Sequence, residues 1–239
     1  MISGKTTLIA HIGFPTESFK APMIYNPWFD KRGIDAAVVP MGVRPEDYAT
    51  SLKAIFRMSN VHGALVTMPH KVVTNSLVDE ITPTARIAGA SNAILLRPDG
   101  TLLGDQFDGA GFVRGVERKG LKLAGKRVLV SGNGGVGSAI AASLAAAGVA
   151  QMALYDGFDA SSQALAGRLR EHYPALEIST GSNDPAGFDL IVNATPLGMK
   201  PGDPLPFDMS RVAPSTFVGE VVMKEAMARS ASAVRPSAS

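Results

Sequence analysis

The chain reads as an α/β protein of two domains: an N-terminal α/β substrate domain with a mostly parallel sheet, and a C-terminal Rossmann-like dinucleotide-binding domain. Two observations carry this reading. Residues 126–148, KRVLVSGNGGVGSAIAASLAAAG, pass from an apolar, β-branched run through a glycine cluster into small residues of high helix propensity. That is strand, tight turn and helix. Strand-like and helix-like segments alternate through the rest of the chain, which implies parallel strands joined by crossovers.

Each element has its own signal. Residues 7–12 are an apolar strand stopped by Gly13-Phe14-Pro15. Residues 21–32 have helical character, with Pro22 where a first helical turn tolerates it. Residues 36–41 form a second strand. Tyr48, Leu52, Ile55 and Phe56 give 45–58 a helical spacing. A third strand at 63–66 precedes a helix expected over 72–81. Residues 93–96 and 101–103 form a hairpin around Pro98-Asp99-Gly100. Residues 108–119 read as a helix, with Phe112, Val113 and Val116 on one face. After the glycine-loop unit come strands at 152–155, 176–179, 190–193 and 217–222, and a helix at 161–172. The expected division is 1–107 for the substrate and catalytic domain and 108–227 for the dinucleotide domain, with 108–120 as a connecting helix. Residues 228–239, rich in Ser and Ala, are expected to be a disordered tail.

Composition narrows the function. A net charge of +2 over 239 residues gives no reason to expect a nucleic-acid or membrane-surface partner. The absence of cysteine removes disulfides, thiolate metal sites and cysteine nucleophiles, and fits a cytoplasmic protein. No apolar run reaches a membrane span, and the N-terminus lacks a signal-peptide core. His11, His62, His70 and His172 show no ligand spacing, so no metal is expected, and His70 reads as a surface residue. No G-x-S-x-G nucleophile elbow is present.

The turn Gly132-Asn133-Gly134-Gly135-Val136-Gly137 has the G-x-G-x-x-G spacing. Its glycines allow a sharp turn and close approach of a pyrophosphate to the N–H groups of the following helix. Asp156 ends the next strand, about 20 residues on, where a carboxylate accepts hydrogen bonds from ribose hydroxyls and repels a 2′-phosphate. The run Tyr155-Asp156-Gly157-Phe158 has no basic residue, and the next one is Arg168. NAD is therefore expected over NADP. Asp156 also reads as a turn residue before Gly157. Asn193-Ala194-Thr195 closes a later strand and suits a loop touching nicotinamide or ribose, although Pro196 and Gly198 explain a plain turn equally well.

Further pieces complete a pattern: Gly13-x-Pro15 with Pro22 and Asn26; GALVTMPHK at 63–71; Gly89-Ala90-Ser91-Asn92; and GDQFDGAGF at 104–112. In this order, with the glycine loop and Asn193-Ala194-Thr195, the chain resembles the shikimate/quinate dehydrogenase family over about residues 7–224. The resemblance implies an oxidoreductase of aromatic amino acid biosynthesis. Such an enzyme moves hydride between a nicotinamide cofactor and a secondary alcohol of a cyclic polyol or hydroxy acid. It implies Lys71 as the catalytic lysine, Asp108 as its carboxylate partner, and Thr67 and Asn92 as holders of the substrate's hydroxyl side. Taken alone, Lys71 reads as a solvated lysine and Asp108 as a helix N-cap; the joint pattern raises both.

The chain departs from the family on the substrate side. The Ser-x-Ser or Ser-x-Thr pair that binds the substrate carboxylate is replaced by Phe19-Lys20-Ala21. The usual asparagine before the Val-Thr pair is Leu65, the Asn-Thr before the aspartate is Gln106-Phe107, and the late tyrosine is Met223. Each lost hydrogen bond to a buried carboxylate costs on the order of 1.5–3 kcal/mol. Phe19, Ala21 and Leu65 are thus expected to line a pocket with weak shikimate activity and a less polar alcohol substrate. After Glu225-Ala226-Met227 the family's returning helices give way to the Ser/Ala-rich tail, and a homo-oligomer is expected to cover the apolar surface left behind. A non-catalytic dinucleotide-binding regulator is the alternative.

Overall fold

The structure is a computed structural model that describes residues 2–17, 19–200 and 202–222. Met223, the segment Glu225-Ala226-Met227 and the tail lie outside the described residues. The chain divides into two compact units, Met1–Phe107 and Asp108–Ser239.

The first unit is built on β1 (Thr7–Gly13), β2 (Ala36–Gly42), β3 (Val61–Val66), β4 (Glu80–Ile81), β5 (Ala93–Leu96) and β6 (Leu102–Asp105), in the order β2-β1-β3-β5-β6-β4. β1 runs parallel to β2 and β3, and β4 parallel to β6; β5 is antiparallel to both its neighbours, as the hairpin requires. Side chains alternate along a strand. Ala10 and Ile12 of β1 enter a core with Val61, Ala64 and Val66 of β3 and with Tyr48, Leu52 and Ile55 of α2 (Tyr48–Ile55). His11 and Gly13 therefore turn to the other face. Helix α1 (Ala21–Arg32) ends on Gly33 in the left-handed region. Its Asn26 grips β2 by bonding both the N–H and the C=O of Val38.

Two sequence expectations need correction here. The helix expected over 45–58 opens with a 3₁₀ turn at Pro45–Asp47 and ends at Ile55. The helix expected over 72–81 is a single turn, α3 (Lys71–Thr74), followed by turns and β4. Val72, Val73 and Thr74 are β-branched, and the Ser76 hydroxyl bonds the Val73 carbonyl, so the run resists extension. Asn75 is drawn away to the Ala85 carbonyl and the Ser91 hydroxyl. The unanticipated α4 (Pro83–Ala88) has legible ends: Thr82 accepts from Ala85 N–H, proline follows, and Gly89 closes it at φ 69°.

The second unit contains α5 (Asp108–Arg118), β7 (Arg127–Ser131), α6 (Gly135–Ala146), β8 (Gln151–Tyr155), α7 (Asp159–His172), β9 (Glu177–Thr180), β10 (Leu190–Asn193) and β11 (Phe217–Glu220). Its sheet is wholly parallel, in the order β11-β10-β7-β8-β9. That is the Rossmann order, with the switch point between β7 and β10. Small residues let α6 bury almost its whole surface. Helix α5 lies directly on it at Gly109, where a Cβ would overlap the Ala139 carbonyl and the Ser143 hydroxyl.

That contact is testable. Gly109→Ala should push α5 off α6 and cost about 1–3 kcal/mol, as overpacked positions do. Urea denaturation reads this directly, and an unchanged midpoint would contradict the packing described.

Candidate functional site

In the first unit, most of the substrate-side residues named above gather where β1 and β3 end. The turn after β1 and the turn after β3 are tied by Phe14 N–H to the Met68 carbonyl, and Thr67 N–H bonds the Ile12 carbonyl. A Cβ at Gly13 would overlap the Thr67 methyl and lie 2.8 Å from the tip of Phe19. Glycine is thus required for Thr67 and Phe19 to close over this point. Asn92 lies on the next strand connection: its carbonyl accepts from Val66 N–H and its side-chain oxygen from Phe107 N–H. Lys71 is half-buried, and its carbonyl accepts from Ser91 N–H, which joins the lysine turn to Asn92's neighbour. Leu65 and Ala21 are also partly buried.

His70, read from the sequence as a surface residue, is only 1% exposed. Its ring stacks on Tyr48 at 4.0 Å, and its Nε2 pairs with the Val43 carbonyl at 2.8 Å. The Tyr48 hydroxyl pairs with Thr74, whose hydroxyl donates to the His70 carbonyl. Burial raises the pKa of Tyr48. This buried chain of contacts clamps the one-turn helix that carries Lys71. The signal for it lay in a residue 27 positions away, beyond local pattern.

His11 is buried as well, at 6% exposed, with its ring 4.2 Å from that of Phe19. Burial, and then the charge of Lys71, hold its pKa below 6.5. Sequence reading gave it no role.

In the second unit, Gly132 takes φ 91° and bonds the Tyr155 carbonyl through its N–H. A Cβ there would lie 2.6 Å from Ala194 C and Thr195 N, and a Cβ on Gly137 would overlap the Gly132 carbonyl. The glycine loop and the Asn193-Ala194-Thr195 loop are thus in backbone contact. Gly134 and Gly135 differ, since a Cβ on either meets nothing within 4 Å. Helix α6 begins there without a side-chain cap. An open, uncapped helix N-terminus behind two bare glycines fits the pyrophosphate of a dinucleotide. Val136, in the first turn of α6, is partly buried.

Asp156 serves the loop itself. One oxygen accepts from Asn133 N–H at 2.6 Å and the other from Phe158 N–H at 2.9 Å. The turn role is real, and each oxygen keeps a further lone pair for a ribose hydroxyl. Asn193 is fully engaged: its amide donates to the Leu197 carbonyl and to Glu220, while its oxygen accepts from the N–H and hydroxyl of Thr195. Its side chain therefore shapes the loop, and Thr195 is held in it too, its hydroxyl donating to Asn193 Oδ1 and accepting from Leu197 N–H. Among the described residues no group of three or more potential metal ligands gathers, and no helix is long and apolar enough to cross a membrane.

Two outcomes follow from this geometry. A histidine whose folded pKa lies below 6.5 takes up protons on unfolding. The stability that neutral His11 supplies is complete above that pH and is lost as pH falls toward the folded value. Thermal midpoints should fall from about pH 7 to about pH 5, and fall less steeply in His11→Asn. Equal slopes in the two proteins would refute the assignment. Gly137→Ala should abolish dinucleotide binding by prying open the loop, read by fluorescence titration with NADH.

The family model for the shikimate dehydrogenase substrate binding domain matches residues 12–94. The shikimate dehydrogenase (NADP(+)) of Rubrobacter xylanophilus is 34% identical over 230 residues, covering 93% of this chain and 79% of that protein. Shikimate 5-dehydrogenase from Listeria monocytogenes, solved with shikimate and NAD, matches with a TM-score of 0.85 at 26% identity, over 92% of this chain and 80% of that one. The ligand-free 5-ketofructose reductase of Gluconobacter sp. strain CHM43 matches with a TM-score of 0.81 at 27% identity, over 91% and 79%. The sequence identity over nearly the whole chain and the shared two-unit α/β build agree: the chain belongs to the shikimate dehydrogenase family and is an oxidoreductase that uses a nicotinamide cofactor.

Proposed function

We propose that this chain interconverts a ketone and a secondary alcohol on a polyhydroxylated substrate without a carboxylate, prefers NAD to NADP, and acts weakly on shikimate. The observation that carries the reading is the substrate side of the first unit. There Phe19, Ala21 and Leu65 stand where the family has hydroxyls and an amide, while Lys71, Thr67 and Asn92 are kept. The 5-ketofructose reductase of Gluconobacter supports it, because the ketose in its name is a polyhydroxylated ketone with no carboxyl group.

Lys71 is the proton donor when the ketone is reduced and the acceptor when the alcohol is oxidised. Asp108, the first residue of α5, is the carboxylate that the family resemblance assigns to this proton transfer. The Thr67 hydroxyl and the Asn92 amide hold neighbouring hydroxyls. Gly132–Gly137 cradle the pyrophosphate, and Ala194 and Thr195 bound the loop beside it. The nicotinamide, when bound, supplies or accepts the hydride. Asp156 favours NAD, since its carboxylate repels a 2′-phosphate and no basic side chain follows it before Arg168. We extend the reading to a homo-oligomer, for which the exposed apolar Ile24, Trp28 and Leu95 are the support, and to the cytoplasm, with which a chain free of cysteine is compatible. A monomer mass by light scattering would refute the oligomer.

Steady-state assays with NAD or NADH test the substrate. Neutral polyols and ketoses should be turned over, and shikimate should show a KM at least about tenfold higher, consistent with lost hydrogen bonds to its carboxylate. A low KM and ordinary turnover with shikimate would sink the proposal. Lys71→Ala should lower kcat by about 10²–10⁴-fold with NADH affinity unchanged. Asp156→Ser should cut the NAD-over-NADP ratio of kcat/KM by about tenfold, the size of a lost charge-assisted hydrogen bond.

A further inference from the structure

β1 sends Ala10 and Ile12 into the core and His11 to the opposite face, between its register partners Pro40 on β2 and Leu65 on β3. The Nδ1 atom of His11 is buried and has no hydrogen-bond partner among the described residues. Interiors avoid such atoms, because an unbonded buried nitrogen has given up water and gained nothing. His70 shows the structural alternative: an equally buried imidazole in the same unit bonds a backbone carbonyl.

The surroundings of His11 are those of the substrate side. Phe19 lies against its ring, tilted by 36°. The tip of Phe19 and the Thr67 methyl close together over Gly13, two residues on in the same strand. Lys71 is near enough for its charge to disfavour protonation of the ring, and burial acts in the same direction. His11 is therefore a neutral imidazole with one donor and one acceptor. A hydroxyl complements either nitrogen state. A carboxylate accepts only and calls for paired donors or a positive charge, neither of which this ring supplies.

We infer that His11 is a specificity-determining residue that contacts the substrate: backed by Phe19, its Nδ1 hydrogen-bonds a hydroxyl of an uncharged polyol or ketose where family members bind a carboxylate. The inference rests on the carboxylate-free reading above and names the residue that reads the neutral group. It assigns Phe19 a second task, fixing the ring plane of His11 so that the bond costs little entropy on binding.

The test uses His11→Val, which removes the polar atoms, and His11→Asn, which keeps a donor and an acceptor near the Nδ1 position. Kinetics are measured with 5-ketofructose, inositol and shikimate, and dinucleotide affinity is measured by NADH fluorescence. His11→Val should raise KM for the neutral substrate about tenfold or more with kcat within about twofold, as loss of one substrate hydrogen bond requires. His11→Asn should recover most of the loss, and NADH affinity should not move in either variant. In parallel, 15N-histidine NMR of the wild-type protein with NAD bound should show the His11 Nδ1 resonance shifting with the neutral compound and not with shikimate. This second readout decides the matter if His11→Val does not fold.

An unchanged KM in His11→Val, or an Nδ1 resonance indifferent to every neutral compound, overturns the inference. Turnover of a neutral substrate together with either of those results refutes His11 alone. An Nδ1 shift in a protein that turns over only shikimate upholds the contact and refutes the functional reading.

Discussion

Backbone pressed against backbone is the constraint on which both halves of the molecule depend. In the second unit, Gly137 lies so close to the Gly132 carbonyl that no side chain fits, and Gly132 is crowded in turn by the backbone of residues 194 and 195. Those contacts bring the ends of β7 and β10 and the start of α6 to one place. Gly109 lets α5 do the same against α6. In the first unit, Gly13 lets the loops after β1 and β3 meet. Gly134 and Gly135 are bare for a different reason, since nothing of the protein's own crowds them. The first group of glycines closes the scaffold, and the second pair leaves room for a ligand.

This distinction marks what the sequence made legible. The hairpin and the strands β7, β8 and β10 stood out, because each is a short apolar run bounded by turn residues, whereas the helix at Ala21–Arg32 had only mixed character and the last strand was a bare possibility. The G-x-G-x-x-G spacing named its loop but not which glycines are crowded and which are bare. The segment after Lys71 was misread because its apolar run has helical length. The bonds that break it come from Ala85 and Ser91, which local periodicity does not register. Helix α4 was missed for the opposite reason. Its capping residues are clear, but its body is too short to show a period.

Polar residues were the least legible, because their tasks are set by distant partners. His70 meets Val43, Asn193 meets Glu220, and Asp156 meets Asn133, each pair more than 20 positions apart. For His70 and Asn193 the residue type was noticed and the task was not; for Asp156 the turn role was read, but its bond to Asn133 was not. Asp156 is the instructive member, since the turn reading and the ribose reading compete for one carboxylate in the sequence. In the structure the backbone bonds hold the carboxylate at the loop and leave acceptor capacity over. Holding a loop and reading a ligand are therefore compatible tasks for one side chain.

The same logic separates chemistry from selection in the first unit. Lys71 is held from behind, by the Ser91 N–H on its carbonyl and by the stacked His70 and Tyr48 beneath its turn. None of these supports involves Phe19, Ala21 or Leu65. On the proposed function, the side chains that select the substrate can change without disturbing the lysine assigned to the proton. They cannot change singly, however. Replacing one hydroxyl of a carboxylate site would strand a charged group with half its donors, the costly half-satisfied state of a buried polar network. Removing the whole set at once, with an aromatic wall and a neutral imidazole in its place, avoids that state. On the function proposed above, it would also turn a pocket that accepts a carboxylate into one that rejects it, since discrimination is a difference of affinities and an unmatched charge weighs heavily in it.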